Sequence, residues 1–165
     1  VIDAACRLIQ QDGLAGPTTV IAGGETAGIP YAAWIAQQLD RPMIYVRKQP
    51  KGFGRLAQIE GELAPGTDVL LIEDLLFDAK SKIHFAQALR TAGAVVGHTL
   101  VVFDYGNAKS RAALQTERLT PHALTNWPTL LPLAQEVGYL TAEQAGIVRE
   151  FLQDPAAWSA RRSGM

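Results

Sequence analysis

Two adjacent acids, Glu73 and Asp74, directly follow a continuous apolar run at residues 69–72. Such a run is typical of a strand that is buried on both faces of a parallel sheet. Successive side chains diverge within a strand, but where the strand ends the chain can turn so that both carboxylates face a ligand. Such a pair suits two ribose hydroxyls or a developing positive charge on a sugar ring. Paired acids are also common on protein surfaces, so the pattern alone fits a solvated strand end equally well.

A glycine-rich turn at residues 23–28 separates a predicted strand from a predicted helix. Glycines let backbone N–H groups approach an anion, and the N-terminus of the following helix adds a favourable dipole. The turn matches neither a P-loop nor the GxGxxG fingerprint of dinucleotide-binding proteins. It is therefore either an anion-binding turn or an ordinary tight connection.

A basic segment at residues 47–55 combines two glycines with the cations Arg47, Lys48, Lys51 and Arg55. The glycines make the segment mobile, and a mobile cationic loop beside a strand end suits a polyphosphate leaving group. We expect it to be weakly ordered without a ligand. A solvated basic loop and a nucleic-acid contact are the alternatives, but no aromatic residues are interleaved to favour nucleic acid.

Predicted strands and helices alternate along most of the chain. This alternation favours a parallel sheet that is covered by helices on both faces. Ligands of such sheets bind at the carboxyl ends of the strands, so the loops after Ala22, Val46, Ile72 and Phe103 should line one site. The predicted strands are 18–22, 43–46, 69–72, 95–103 and an edge strand at 119–124; the predicted helices are 1–11, 29–39, 81–92, 109–114, 129–136 and 142–152; residues 47–61 are predicted to be a loop.

The composition indicates one globular domain at residues 1–165, because 165 residues that are 48% hydrophobic can bury a real core. A formal net charge of -1 draws the chain toward neither nucleic acid nor a membrane surface. Cys6 is the only cysteine, which excludes an intrachain disulfide and fits a reducing, cytoplasmic location. No signal peptide or membrane-spanning run is visible. The sequence begins at Val1 inside a predicted helix, so we expect an N-terminal segment to be missing.

Taken together, these segments resemble the orotate phosphoribosyltransferase family, particularly its alphaproteobacterial branch. The family's first phosphate-contacting turn is similar to residues 24–30, and its ribose-binding motif to residues 69–74. Its mobile catalytic loop is similar to residues 45–55, followed by 58–61, and the tail at 151–159 also resembles that branch. The resemblance implies the α/β fold of the type I phosphoribosyltransferases.

The resemblance also implies a reaction. Orotate would attack the anomeric carbon of phosphoribosyl pyrophosphate to give orotidine monophosphate in pyrimidine synthesis. Mg²⁺ would be carried by the pyrophosphate rather than ligated directly by the protein. The implied catalytic residues are Lys51, which would neutralise the leaving group, Glu73 and Asp74. The implied substrate-binding residues are Glu25, Thr26, Arg47, Lys48, Arg55, Asp78, Lys80 and Ser81.

Assembly is a further implication, because in this family the mobile loop closes over the active site of a neighbouring subunit. We therefore expect a two-fold homodimer, with an interface near the first helix pair and the mobile loop. Phosphoribosyl pyrophosphate and orotate are the other expected partners, and neither nucleic acid nor a membrane is expected.

The chain departs from the family in the small, hydroxyl- and glycine-rich loop that wraps the 5'-phosphate. Phe77 stands where a threonine or serine is expected, and Ala79 and Lys80 stand where glycines are expected. These two residues restrict the positive φ angles that glycine allows, although the charge of Lys80 could offset part of the loss. Tyr105 stands where many members place an arginine that holds orotate. An active enzyme is favoured; the alternatives are a paralogue that binds a nucleotide or sugar phosphate with little turnover, and a phosphoribosyltransferase for another base.

Overall fold

A computed structural model describes residues 1–54 and 57–162 of the chain. Within these residues helices and strands alternate in the order predicted for an α/β protein. The helices are α1 Ile2–Gln11, α2 Gly28–Leu39, α3 Lys80–Thr91, α4 Ala108–Thr116, α5 Trp127–Glu136, α6 Ala142–Gln153 and α7 Pro155–Arg162. The strands are β1 Val20–Gly24, β2 Met43–Val46, β3 Ile59–Glu60, β4 Asp68–Leu76, β5 Val95–Asp104 and β6 Thr120–Asn126.

The strands form one six-stranded sheet in the order β3-β2-β1-β4-β5-β6. All neighbouring pairs are parallel except β2 and β3, which pair antiparallel. The predicted parallel sheet is therefore confirmed, and β6 lies at its edge as expected. The loop predicted for residues 47–61 contains the unexpected β3, because two residues are too few to leave a periodic signal in the sequence.

Apolar clusters cover both faces of the sheet. On one face Leu70 and Ile72 of β4 cluster with Ile9 of α1 and other residues of α1 and α2. On the other face Leu71 of β4 clusters with Phe85 of α3. Alternate side chains of β4 thus pack into the two clusters, as expected for a strand that is buried on both sides.

Strand β4 runs four residues beyond the predicted end at Ile72 and stops at Leu76. Its pairing with β5 continues over this stretch, with Glu73 opposite Val101 and Leu76 opposite Asp104. The predicted end of the strand at Ile72 is therefore wrong. The two acids lie inside the strand, where extended backbone directs successive side chains apart.

The C-terminal part of the chain consists of three helices beyond the edge strand. Helix α6 begins with a capping box, in which the side chains of Thr141 and Gln144 each accept a hydrogen bond from the other's backbone N–H. Helix α7 was not predicted from the periodicity of the sequence. None of the helices among the described residues combines the length and the apolar character needed to span a membrane.

Candidate active site

A cleft of about 480 Å³ opens at the carboxyl ends of β1, β2 and β4. It is lined by the turn after β1, by Lys48 after β2, and by the segment from the end of β4 to the start of α3. Three of the four loops predicted to share a site therefore do so. No described residue of the loop after β5 lines the cleft, but the ring of Tyr105 packs edge-on against that of Phe77, which does, with ring centroids 5.1 Å apart.

The two acids of β4 both border the cleft, but their surroundings differ. Asp74 is half-buried, and its Oδ1 accepts a hydrogen bond from the backbone N–H of Leu75 at 2.8 Å. Glu73 is only 5% exposed. Asp74 is therefore the more accessible of the two carboxylates.

The carboxylate of Glu73 is held between the turn after β1 and helix α3. A Cβ atom placed on Gly24 would lie 2.1 Å from Glu73 Oε1, and one on Gly28 would lie 2.7 Å from the same oxygen. The other oxygen, Oε2, lies 3.0 Å from Lys82 Nζ. Burial raises the pKa of the Glu73 carboxyl, the charge of Lys82 opposes this rise, and the neighbouring Asp74 adds to it.

The turn after β1 is tied to the segment after β2. Glu25 Oε2 accepts a hydrogen bond from the backbone N–H of Lys48 at 2.6 Å. The Glu25–Thr26 peptide bond is cis, and Thr26 is exposed on the wall of the cleft. The structure therefore brings together three of the residues predicted from the sequence, namely Glu25, Thr26 and Lys48.

Arg47 and Lys51, two further predicted cations of the basic segment, do not line the cleft. Arg47 directs Nη1 toward Glu60 Oε1 at 3.3 Å. Lys51 is exposed, and its backbone N–H donates to the carbonyl of Ala57 at 2.7 Å. Arg55 lies outside the described residues. A leaving-group role for Lys51 therefore requires the loop to move toward the cleft.

The segment between β4 and α3 places two predicted residues at the cleft and one away from it. Asp78 and Ser81 line the cleft. Lys80 is not among the lining residues: its side chain is 87% exposed, and its Nζ lies 3.5 Å from Asp78 Oδ2. A surface pair of this kind contributes little energy. The ammonium of Lys80 therefore lies in solvent and does not point into the cleft.

Lys82 borders the cleft and was missed by the sequence analysis. It is 5% exposed, and its Nζ lies 3.1 Å from Ser81 Oγ in addition to its contact with Glu73. The signal was present in the sequence, because Lys82 shares helical spacing with the buried Phe85, Ala86 and Leu89 of α3. A lysine on the apolar face of a helix must find a partner.

Comparison with known proteins decides the family. Over 158 residues, which are 95% of this chain and 69% of the relative, the chain is 46% identical to an orotate phosphoribosyltransferase of Jannaschia sp.. It is 44% identical to the enzyme of that name from Rhizobium rhizogenes, covering 100% of this chain and 72% of the relative. The chain belongs to the orotate phosphoribosyltransferase family.

The fold of this family is confirmed by solved structures. The orotate phosphoribosyltransferase of Aeropyrum pernix superposes with a TM-score of 0.68 at 28% identity, over 84% of this chain and 75% of that chain. The fold is thus that of the type I phosphoribosyltransferases. No protein-family model matches the sequence.

Two departures from the orotate phosphoribosyltransferase pattern, Phe77 and Tyr105, contact each other. Phe77 also separates the cleft from a second cavity of about 470 Å³ that residues of α6 and α7 help to line. Its carbonyl accepts a hydrogen bond from the Ser110 hydroxyl of α4. The bulky residue in the family's phosphate loop is therefore anchored by its own aromatic and backbone contacts.

The two replaced glycines of the loop differ in backbone conformation. Ala79 adopts φ 63 and ψ -13, in the left-handed region that glycine favours. Lys80 is not among the described non-glycine residues with positive φ, so it needs no glycine-like freedom. The expectation that both residues would restrict the loop is wrong for Lys80, whereas Ala79 reaches the glycine-type conformation despite its Cβ.

Proposed function

We propose that the chain transfers a phosphoribosyl group from phosphoribosyl pyrophosphate to orotate, forming orotidine monophosphate and pyrophosphate. The observation that carries this proposal is the convergence of Asp74, the turn after β1 and the start of α3 on one cleft. Hydroxyl acceptors and anion-binding backbone are the two features that a ribose phosphate requires. Family membership at 46% identity over 158 residues supports the choice of orotate as acceptor.

Asp74 would accept hydrogen bonds from the ribose hydroxyls, because an ionised carboxylate is an acceptor and this one is accessible. The 5'-phosphate would lie at the start of α3, where no side chain caps the helix at Ala79 and where Ser81 supplies a hydroxyl. The N–H groups of a helix N-terminus favour an anion by their direction and by the helix dipole. The pyrophosphate would lie beside Thr26 and Lys48 on the opposite wall.

Orotate would attack the anomeric carbon as the bond to pyrophosphate breaks, so negative charge grows on the leaving group. Lys51 would neutralise that charge after the basic loop has closed over the cleft. Closure of such a loop also removes water from the reacting centre, which strengthens each charge interaction there.

Mg²⁺ fits this cleft as a companion of the pyrophosphate. Mg²⁺ would be bound by the pyrophosphate oxygens, and the carboxylates of Asp74 and Glu25 at the cleft would face it through the water molecules that Mg²⁺ usually keeps. Among residues 1–54 and 57–162, no three His, Cys, Asp or Glu side chains are grouped to hold a metal ion by themselves. The ion would supply positive charge to the departing pyrophosphate.

Product formation tests the proposal. The chain is incubated with phosphoribosyl pyrophosphate, Mg²⁺ and either orotate, uracil or adenine, and the nucleotide product is separated by chromatography. We expect orotidine monophosphate only. Product from uracil or adenine in place of orotate would overturn the choice of base, and no product from any base would leave the paralogue without turnover.

Replacing Lys51 with Ala should lower kcat by about a hundredfold with a small change in KM, because the lost charge acts mainly in the transition state. Arg161→Ala, which removes an exposed cation from α7, is the matched control and should change neither constant. A rise in KM with unchanged kcat would contradict the assigned role of Lys51.

We also infer a cytoplasmic two-fold homodimer. The exposed ring of Trp34 on α2, which lies beside Ile2 of α1 at a shared surface depression, supplies an apolar face near the first helix pair. Sedimentation at micromolar concentration should show a dimer for the full-length chain, and a monomer there would contradict the inference.

A further inference from the structure

The buried ammonium of Lys82 joins two groups at the wall of the cleft. Its Nζ lies 3.0 Å from Glu73 Oε2 and 3.1 Å from Ser81 Oγ. The side chains of Lys82 and Glu73 are each 6% exposed. Lysine is almost never buried to this extent without a partner, so the three residues form one connected unit.

Donor and acceptor chemistry fixes the direction of the bond to Ser81. An ammonium group can only donate, so Ser81 Oγ must accept from Lys82. The hydroxyl proton of Ser81 is then directed to a different acceptor. Within the unit that acceptor is Glu73 Oε2, at 3.5 Å, which is the outer limit for a hydrogen bond. A phosphate oxygen in the cleft would be a better acceptor for this proton.

We infer that Lys82 is a positioning residue for the phosphate end of the substrate, acting through Ser81. It fixes the Ser81 oxygen as an acceptor and so presents the hydroxyl proton to the cleft. This inference rests on the proposed function, because it assumes that the substrate's phosphate lies at the start of α3. It transfers to Lys82 the compensating role that the sequence suggests for Lys80.

Electrostatics gives Lys82 a second effect in the same direction. The carboxylate of Glu73 lies beside the place assigned to the phosphate, and an uncompensated negative charge there would repel the anion. Lys82 contacts this carboxylate directly, so the anion meets a pair without net charge. Lys80 cannot serve in this way, because its side chain is 87% exposed and contacts Asp78.

The test is a double-mutant cycle read by calorimetric binding of phosphoribosyl pyrophosphate with Mg²⁺. Ser81→Ala should weaken binding about tenfold or more in the otherwise unmodified chain, because a hydrogen bond to a charged group is lost. Lys82→Met alone would leave Glu73 buried without a partner and could unfold the chain. The second background is therefore E73M/K82M, which removes both buried charges and replaces them with side chains of similar length.

In the E73M/K82M background, adding Ser81→Ala should weaken binding by less than about twofold, since the hydroxyl is no longer positioned. In the matched control, Lys80→Met, adding Ser81→Ala should still cost about tenfold. Lys82→Arg, which can donate to both Glu73 and Ser81, should retain most of the affinity. A merely structural role for Lys82 would change the stability of the fold without changing the cost of Ser81→Ala.

The outcomes separate this inference from the proposed function. An equal cost of Ser81→Ala with and without Lys82 overturns the inference and leaves the activity untouched. The expected pattern of binding without formation of orotidine monophosphate overturns the activity and leaves the inference standing. Absence of binding by the unmodified chain overturns both.

Discussion

The two connections that face each other across the cleft are built in different ways. In the turn between β1 and α2, Gly24 and Gly28 leave space that the carboxylate of Glu73 occupies. In the connection between β4 and α3, Phe77 and Lys80 stand where the family has small residues, and each has found its own contacts. The first connection depends on glycines, which have no Cβ to clash with Glu73. The second depends on the aromatic contact of Phe77 and the surface ion pair of Lys80.

This difference shows which positions of the proposed phosphate site tolerate change. A Cβ on Gly28 would meet the backbone carbonyl of Ile72 at 2.4 Å, and backbone in a central strand cannot move away. The side chain of Lys80 extends into solvent, so its size costs nothing in packing. The turn after β1 is therefore constrained by the sheet, whereas the loop after β4 is constrained at Phe77 and Ala79 but not at Lys80.

Gly28→Ala should break the first connection and have the largest effect. The new Cβ would press on Ile72 O and on Glu73 Oε1, and displacing Glu73 would separate it from Lys82. Overpacking together with loss of a buried ion pair should lower the free energy of unfolding by about 3 kcal/mol or more. Urea denaturation followed by circular dichroism measures this change.

Gly146→Ala is the matched control, because Gly146 lies in helix α6 and a Cβ added to it would have no atom within 4 Å. The same substitution there should raise the free energy of unfolding by about 0.5–1 kcal/mol, as alanine favours helix more than glycine. A Gly28→Ala variant as stable as the Gly146→Ala variant would show that the turn after β1 has room to spare.

Glu73→Gln should change how stability depends on pH, because Glu73 links the two connections. Burial raises the pKa of Glu73 above its ordinary value of 4.5, with Lys82 opposing. A carboxyl whose pKa is raised in the folded state contributes stability in acid, and that contribution is lost as pH rises from 4.5 toward the folded pKa. The free energy of unfolding of the unmodified chain minus that of Glu73→Gln should therefore fall with pH over this window, by at most about 1.4 kcal/mol per pH unit.

Glu62→Gln provides the comparison, since Glu62 is exposed and the substitution removes the same charge. Its stability should follow that of the unmodified chain across the whole pH range. If the difference for Glu73→Gln instead rises with pH, attraction to Lys82 exceeds the effect of burial, and the pKa of Glu73 is lowered rather than raised.

Periodicity and apolar runs predict most of this fold, because each long element carries its own signal. The run at residues 69–72 and the spacing of the α1 and α2 residues each indicate their element and its buried face. The end of β4 could not be predicted in the same way. It is set by pairing with β5 as far as Leu76, and the paired residues of this stretch are 28 positions apart in sequence.

In the candidate site, too, features with a local sequence signal could be predicted, whereas features set by contacts distant in sequence could not. The family resemblance implied the following site residues that line the cleft: Glu25, Thr26, Lys48, Glu73, Asp74, Asp78 and Ser81. The unequal burial of the two acids could not be predicted, because it depends on contacts between three separate segments. The role expected for Lys80, compensating by its charge for the lost glycines, depended on the direction of its side chain. That direction is set by the start of α3 and could not be predicted from the sequence.

Ala79→Gly should have the smallest effect and sharpens the account of the second connection. The substitution relieves a left-handed conformation at φ 63, worth about 1–2 kcal/mol. It also removes the methyl group of a residue that is 1% exposed, which costs about 0.8 kcal/mol of stability. The greater backbone freedom of glycine in the unfolded chain costs a further amount of about 0.4–1 kcal/mol. These contributions nearly cancel, so the free energy of unfolding should stay within about 1 kcal/mol of its original value.

Asp40→Gly is the control, because Asp40 has φ 52 but is exposed. No buried methyl is lost there, so this variant should be the more stable of the two. Thermal and urea denaturation of both variants measure the difference. A loss above about 2 kcal/mol for Ala79→Gly would mean that the methyl group itself holds the loop in place, and that this alanine is a working part of the phosphate loop rather than a tolerated replacement for glycine.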